Sequence, residues 1–265
     1  MSAKVLVEDV GGGVRVIRLA DPSRRNAIGA RMRDELAAAA SAVAADAHAR
    51  ALVVRADGPA FCSGADLVET FEGAADKTIE QVRVELMRIY DSFLRVRDLE
   101  IPTVAAVRGP AIGAGVNLAL SCDVRLAAPD ASFGALFSRI GLHPGGGCSY
   151  YLAQALGPQR ALRVLLDGDT LDAPAAARGG LVDEIVDDPE TAALAMAARW
   201  ARLDPDLARG IKRSIRLAVA SGFDAALDFE SWAQAASARK PQIQEAVAQR
   251  RARSAAATGE KGVLS

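Results

Sequence analysis

Two short apolar runs, ALVVRA at 51–56 and TVAAV at 103–107, each lead straight into a loop of small residues and then a helix-compatible stretch. Unbroken apolar runs of five or six residues read as buried strands, so they must lie inside a layered core. The rest of the first 190 residues keeps the same alternation of strand and helix. Residues 5–10 and 14–20 are apolar-rich and separated by Gly11–Gly13, the pattern of a hairpin. An Ala-rich helix is expected over 30–47 and an amphipathic one over 78–97, where Val82, Leu86, Ile89, Phe93 and Val96 recur at helical spacing. Ile101-Pro102 breaks that helix. Further elements are predicted as a helix near 114–121, strands at 124–127 and 132–134, a helix near 146–156 with another after LGP, and a strand at 181–186. Everything beyond Pro189 reads as helix. The fold class is therefore α/β, one compact domain with a helical C-terminal extension.

Charge and composition narrow the function. Thirty-two basic residues against 33 acidic ones leave a formal charge of −1, whereas a nucleic-acid partner calls for a concentrated basic face. No uncharged apolar run reaches the ~18 residues of a membrane span. Cys62, Cys122 and Cys148 are few and odd in number, which predicts reduced thiols and a cytoplasmic setting. With two histidines and no CxxC or HExxH spacing, no metal site is expected, and no cofactor motif is present.

The candidate chemistry lies in the two small-residue loops, FCSGADL at 61–67 and GPAIGAGVN at 109–117. Small residues let backbone approach a ligand closely, and a helix N-terminus leaves N–H groups unpaired. Two such amide clusters can converge on one oxyanion. The same glycines also serve plain tight turns, and spacing alone leaves both readings open.

Taken in order, FCSGADL, RGPAIGAGVNLALSCDVRLA (108–127) and SFGALFSRIGLHPGGG (132–147) resemble the crotonase (enoyl-CoA hydratase/isomerase) family. Asn26-Ala27 after a polar loop and Cys122-Asp123 at the end of the central helix add to the likeness, which runs from RRNAI to about Val186 and loosens beyond. The resemblance implies a spiral of ββα units over 1–195 holding an acyl-CoA site. Over 196–265 it implies a helical region that builds a homotrimer or a dimer of trimers. The implied ligand is an acyl-CoA thioester, its coenzyme A being part of the substrate, with the carbonyl oxygen between the N–H groups of Ala65 and Ala114. Ala27, Cys62, Ser63, Gly64, Asp66, Leu67 and Gly113 are then expected around the substrate.

The family's hydratases use two glutamates to hold and activate water. Alignment through GAGVN puts Asn117 at the first position, and alignment from SFG to PGGG puts Phe137 at the second. An amide can orient water without acting as its base, and a phenyl ring can do neither. His143, ahead of Pro144 and the Gly145–Gly147 turn that in the family approaches the catalytic water, is the one nearby proton carrier. The expected activity is thus of the enoyl-CoA hydratase/isomerase type without paired glutamates. Two alternatives stand beside it: a non-catalytic acyl-CoA binder, and a thioester or carbon–carbon bond hydrolase using His143.

Arg24 and Arg25 are candidates for the CoA phosphates, against a solvated polar loop; Arg250, Arg251 and Arg253 are candidates for its nucleotide, against a solvated helix face. Asp66 is expected at a helix start, where Asp is favoured as a cap. The cysteines read as small core residues, with a Cys148–His143 nucleophile pair as the sharper alternative. The polar stretch 68–80 is predicted to form a flexible lid.

Overall fold

The computed structural model describes residues 2–261, the side chains of 253–261 excepted. In chain order, β1 (Val5–Asp9) and β2 (Val14–Leu19) form a hairpin, followed by α1 (Ala30–Ala45), β3 (Ala51–Ala56), the short α2 (Leu67–Phe71) and the long α3 (Ile79–Asp98). Next come β4 (Thr103–Val107), β5 (Pro110–Ile112), α4 (Ala114–Ser121), β6 (Val124–Ala127) and β7 (Ser132–Gly134). The helices α5 (Cys148–Leu156) and α6 (Pro158–Asp167), β8 (Thr170–Asp172), α7 (Ala173–Arg178), β9 (Glu184–Ile185) and α8 (Pro189–Ala201) complete a first compact unit, Met1–Leu203. The expected division at 195 falls inside α8.

A six-stranded sheet runs in the order β1-β2-β3-β4-β6-β9, parallel throughout except for the β1–β2 hairpin. Alternate residues of its central strands enter two separate cores. Val14, Val16, Ala51, Val53, Val104 and Ala106 pack with Ala193 and Ala197 of α8. Ile17, Leu19, Leu52, Val54, Ala105 and Val107 join the larger core with residues of α1, α3 and α4. Helices cover both faces, so successive residues of Leu52–Val54 and Val104–Val107 are all apolar and all buried. Full burial of each Leu, Ile or Val contributes about 1.5–3 kcal/mol.

All eight residues of α4 are buried, in keeping with AGVNLALS being apolar all round save for Asn117 and Ser121. In α3 a Thr78–Gln81 capping box sets the start, and Ile89, Phe93 and Val96 enter the core. A second sheet, β5-β7-β8, pairs β5 parallel to β7 and β7 antiparallel to β8. It holds Gly113 in place, since the Gly113 N–H donates to Gly134 O at 2.9 Å.

Four elements lie outside the sequence reading: β5, β8, α2 and α7. The two strands are three residues long and flanked by Gly or helix starts, too short for any period to register. The strand expected over 181–186 contracts to β9. Leu181 and Val182 are buried as part of a turn, with the Leu181 N–H donating to Ala176 O at 2.9 Å.

The second unit, Asp204–Ser265, is helical: α9 (Pro205–Ser221), α10 (Phe223–Ala238) and α11 (Pro241–Lys261). Asp204 caps α9 through the N–H groups of Asp206 and Leu207, and Lys240 Nζ reaches Asp204 and Asp206 at 2.5 and 2.9 Å. Ile211, Ile215, Phe223 and Trp232 are exposed on it. The side chain of Arg253 lies outside the described residues. Among the described residues no helix is long and apolar enough to cross a membrane.

Candidate active site

The two small-residue loops meet by backbone contact. Gly64 O accepts from Ile28 N–H at 2.7 Å, and Asp66 N–H donates to Ile28 O at 3.1 Å. In that parallel bridge the intervening Ala65 N–H turns away from Ile28. Across the junction, Cys62 N–H donates to Pro110 O at 3.2 Å and Ile112 N–H to Cys62 O at 2.9 Å, which ties β5 to the 61–67 loop. Ala114 follows as the first residue of α4, where no intrahelical acceptor exists for its N–H. Among the described residues neither the Ala65 nor the Ala114 N–H has a hydrogen-bond partner.

Only small residues permit this approach. Gly64 has φ of 96°, and a Cβ there would lie 2.7 Å from Ile112 O and 3.5 Å from Ala114 N. A Cβ on Gly115 would lie 2.2 Å from Cys62 O.

Ala65 and Ala114 open onto a cavity of about 460 Å³. Ser63, Gly64, Leu67 and Gly113 line it from the same two loops, and Asn117, Phe137, His143 and Gly145 from α4 and the 136–145 segment. The remaining wall is apolar: Phe71 from α2, Leu86 and Ile89 from α3, Ile112, Leu136, Ile140 and Leu142. Leu86 and Ile89 belong to the apolar stripe of α3 seen in the sequence; Phe93 and Val96 continue it into the core, which Ile89 also joins. Two unpaired N–H donors on an apolar cavity are suited to hold an oxygen that gains negative charge.

Asn117 is 1% exposed, and its Nδ2 donates to Gly145 O at 2.9 Å, leaving Oδ1 buried without a partner. Phe137 lines the cavity, with its ring 3.9 Å from where a Cβ on Gly113 would stand. His143 is exposed at the cavity rim, its Nδ1 2.8 Å from Pro144 O. A carbonyl oxygen accepts only, so Nδ1–H is the donor in this contact and Nε2 is the nitrogen it leaves unused. Tyr90 of α3, which no sequence motif singles out, also lines the cavity. Burial raises the pKa of its hydroxyl above the usual phenol value.

Five expected substrate contacts stand elsewhere. Cys62 is fully buried and acts through its backbone; its thiol is pushed up to about 12 by burial. Asp66 caps α2, accepting from Glu69 N–H at 2.9 Å, and pairs with Arg24. Arg24 also donates to Glu69 Oε1 at 2.8 Å, while Glu69 Oε2 accepts from Ala30 N–H at 2.8 Å at the start of α1. Backbone donation to Asp66, and the Arg24 guanidinium beside Glu69, hold both carboxyls below their ordinary range. The 68–80 stretch thus contains an anchored helix, followed by a 3-10 turn at Ala74–Asp76. Arg25 is exposed, and its carbonyl accepts from Ser63 N–H at 3.0 Å. Ala27 sits outside the cavity in the same turn, while buried Asn26 ties that turn to Asp57 O and Ala60 O, both at 2.9 Å. Cys148 is buried, does not line the cavity and has a thiol pushed up to about 12, so it forms no nucleophile pair with His143.

The sequence model of the enoyl-CoA hydratase/isomerase family matches residues 9–253. Probable enoyl-CoA hydratase EchA14 of Mycobacterium tuberculosis is 43% identical over 217 residues, 82% of each chain. The 1,2-epoxyphenylacetyl-CoA isomerase of Escherichia coli is 32% identical over 249 residues, covering 91% of this chain and 93% of that one. The crystal structure of enoyl-CoA hydratase from Bacillus anthracis superposes with a TM-score of 0.85 at 27% identity, over 94% of this chain and 96% of that one. The α/β fold is the crotonase-like one expected from the three motifs. By sequence match, architecture and the order of its site loops, this chain belongs to the enoyl-CoA hydratase/isomerase (crotonase) family.

Proposed function

We propose that the chain binds an acyl-CoA thioester with its carbonyl oxygen between the N–H groups of Ala65 and Ala114. The observation that carries this reading is the pair of unpaired backbone donors brought together at the wall of an apolar cavity. Relatives named for chemistry on CoA thioesters support the same ligand class. Donors aimed at that oxygen stabilise the enolate that forms when a proton leaves the neighbouring carbon, and removing one donor costs about 2.7–4 kcal/mol. Coenzyme A serves as the carrier of the acyl group.

The reaction does not follow the two-glutamate route. An amide at 117 and a phenyl ring at 137 leave His143 Nε2 as the proton acceptor at the cavity rim, with Asn117 orienting water or substrate. Turnover of crotonyl-CoA and a longer trans-2-enoyl-CoA, run beside calorimetric binding of acyl-CoA, tests this. Turnover that His143→Ala abolishes supports it; full turnover in His143→Ala overturns it. The loss of both acids also favours a second reading, an acyl-CoA binder without catalysis, which predicts binding with no turnover of any enoyl, epoxyacyl or saturated thioester. Hydrolysis of the thioester, or of a carbon–carbon bond, through His143 would appear in the same assay as release of free CoA or of a shortened acyl product.

The helical unit is proposed to assemble copies of the chain into a homotrimer or a dimer of trimers. Its exposed Ile211, Ile215, Phe223 and Trp232 supply the apolar surface for that association. Sedimentation equilibrium of the wild type and of Trp232→Glu checks it. Three buried free thiols are compatible with the proposed cytoplasmic setting.

A further inference from the structure

Gly29, directly before α1, has an extended backbone (φ −89°, ψ −176°) that any residue adopts, so its lack of a side chain has another cause. A Cβ there would lie 2.3 Å from Glu69 Oε2 and 2.8 Å from Glu69 Cδ. The space is taken by the Glu69 carboxylate, which reaches across from α2 and accepts from Ala30 N–H at 2.8 Å. Its other oxygen accepts from Arg24 Nη2 at 2.8 Å, and the same nitrogen donates to Asp66 Oδ2. Asp66 and Glu69 stand three residues apart at the start of α2, where like charges repel. One guanidinium nitrogen offsets both.

What this cluster holds is a wall of the cavity. Asp66 directly follows Ala65, and its N–H donates to Ile28 O at 3.1 Å. Beyond it, α2 carries Leu67 and Phe71 to the cavity. An isolated surface ion pair contributes little. Here one cation, two carboxylates and the first amide of α1 form a single unit, so breaking it at any member releases α2. We propose that Arg24 is a positioning residue: through Asp66 and Glu69 it sets α2, with Leu67 and Phe71, against the cavity that takes the acyl chain. It does not bind the CoA phosphates, because its guanidinium is already committed to two carboxylates.

Calorimetric titration of the full chain with free CoA and with decanoyl-CoA tests the inference, which rests on the acyl-CoA reading. The wild type is expected to bind decanoyl-CoA more tightly than CoA. Gly29→Ala displaces the Glu69 carboxylate and leaves Arg24 in place, whereas Arg24→Met removes the cation. Each is expected to cut the preference for decanoyl-CoA by about tenfold, as Leu67 and Phe71 cease to cover the chain. Affinity for free CoA is expected to stay within about twofold of the wild type in both variants. A larger loss of free-CoA affinity in Arg24→Met makes Arg24 a phosphate ligand and overturns the inference. An unaltered preference in either variant overturns it too, and both results leave acyl-CoA binding standing. Decanoyl-CoA bound no more tightly than CoA by the wild type overturns the acyl-CoA reading itself, and the inference with it.

Discussion

Gly115 rests on the carbonyl of Cys62, with 2.2 Å between that oxygen and the place a Cβ would occupy. This contact sets how closely the loop carrying Ala65 approaches the helix beginning at Ala114. Gly115→Ala brings two opposing effects. Alanine favours an α-helix by about 1 kcal/mol over glycine. Overpacking against backbone costs about 1–3 kcal/mol, and no rotamer change at Cys62 can relieve it. The clash wins, and the loops separate. Thermal unfolding should show a lower Tm, and turnover or acyl-CoA affinity should fall by about a hundredfold or more as one donor moves off the oxygen. An unchanged Tm with unchanged acyl-CoA affinity would mean that loop spacing does not matter.

Much of this arrangement was legible in the sequence because it rests on local signals. ALVVRA and TVAAV begin and end where β3 and β4 do, and α4 occupies the expected 114–121. Position along the chain also pointed to Ala65, Ala114 and Asn117, which line the cavity. Tyr90 was not legible: on α3 it is an ordinary residue beside an apolar stripe, and only the approach of Gly145 and Gly146 brings it to the site. The pairing of Arg24 was not legible for the converse reason. It reads as a free cation beside a polar loop, but its partners Asp66 and Glu69 lie 42 and 45 residues away and are supplied by the fold.

His143 gives a second prediction. The Pro144 carbonyl accepts from Nδ1–H, so in the proposed reaction Nε2 is the nitrogen left to take the proton. His143→Ala should lower kcat by about 10²–10⁴, the usual worth of a positioned base, with KM moving much less. A proportionate rise in KM at constant kcat would instead assign His143 to binding alone.

Acid should loosen α2 before it unfolds the molecule. Asp66 has its carboxyl lowered chiefly by the Glu69 N–H, and Glu69 chiefly by Arg24. A carboxylate whose pKa is lowered on folding stabilises the folded state above its unfolded value. That contribution is lost as pH falls through the lowered value. The ordinary values are 3.8 for Asp66 and 4.5 for Glu69, so the effect is complete at neutral pH and fades below about pH 4.5. Hydrogen exchange at 67–71, corrected for its intrinsic pH dependence, should accelerate between about pH 5 and 3. Glu69→Gln should produce part of that acceleration already at pH 7. Exchange in this segment that is flat with pH and unaltered by Glu69→Gln would show that the Arg24 cluster does not anchor the helix.

The thiols separate packing from chemistry. Cys62 and Cys148 are buried, with pKa values pushed up to about 12 because a thiolate there would lose its hydration. At pH 8 almost none of either is in the reactive form. A disulfide exchange reagent should therefore titrate neither thiol in the native protein and both after denaturation. Cys148→Ala should retain turnover, since the side chain lies outside the cavity, with a Tm lowered by a few degrees for the lost buried sulfur. Rapid modification of native Cys148 that also abolishes turnover would reverse this assignment and place a nucleophile beside His143.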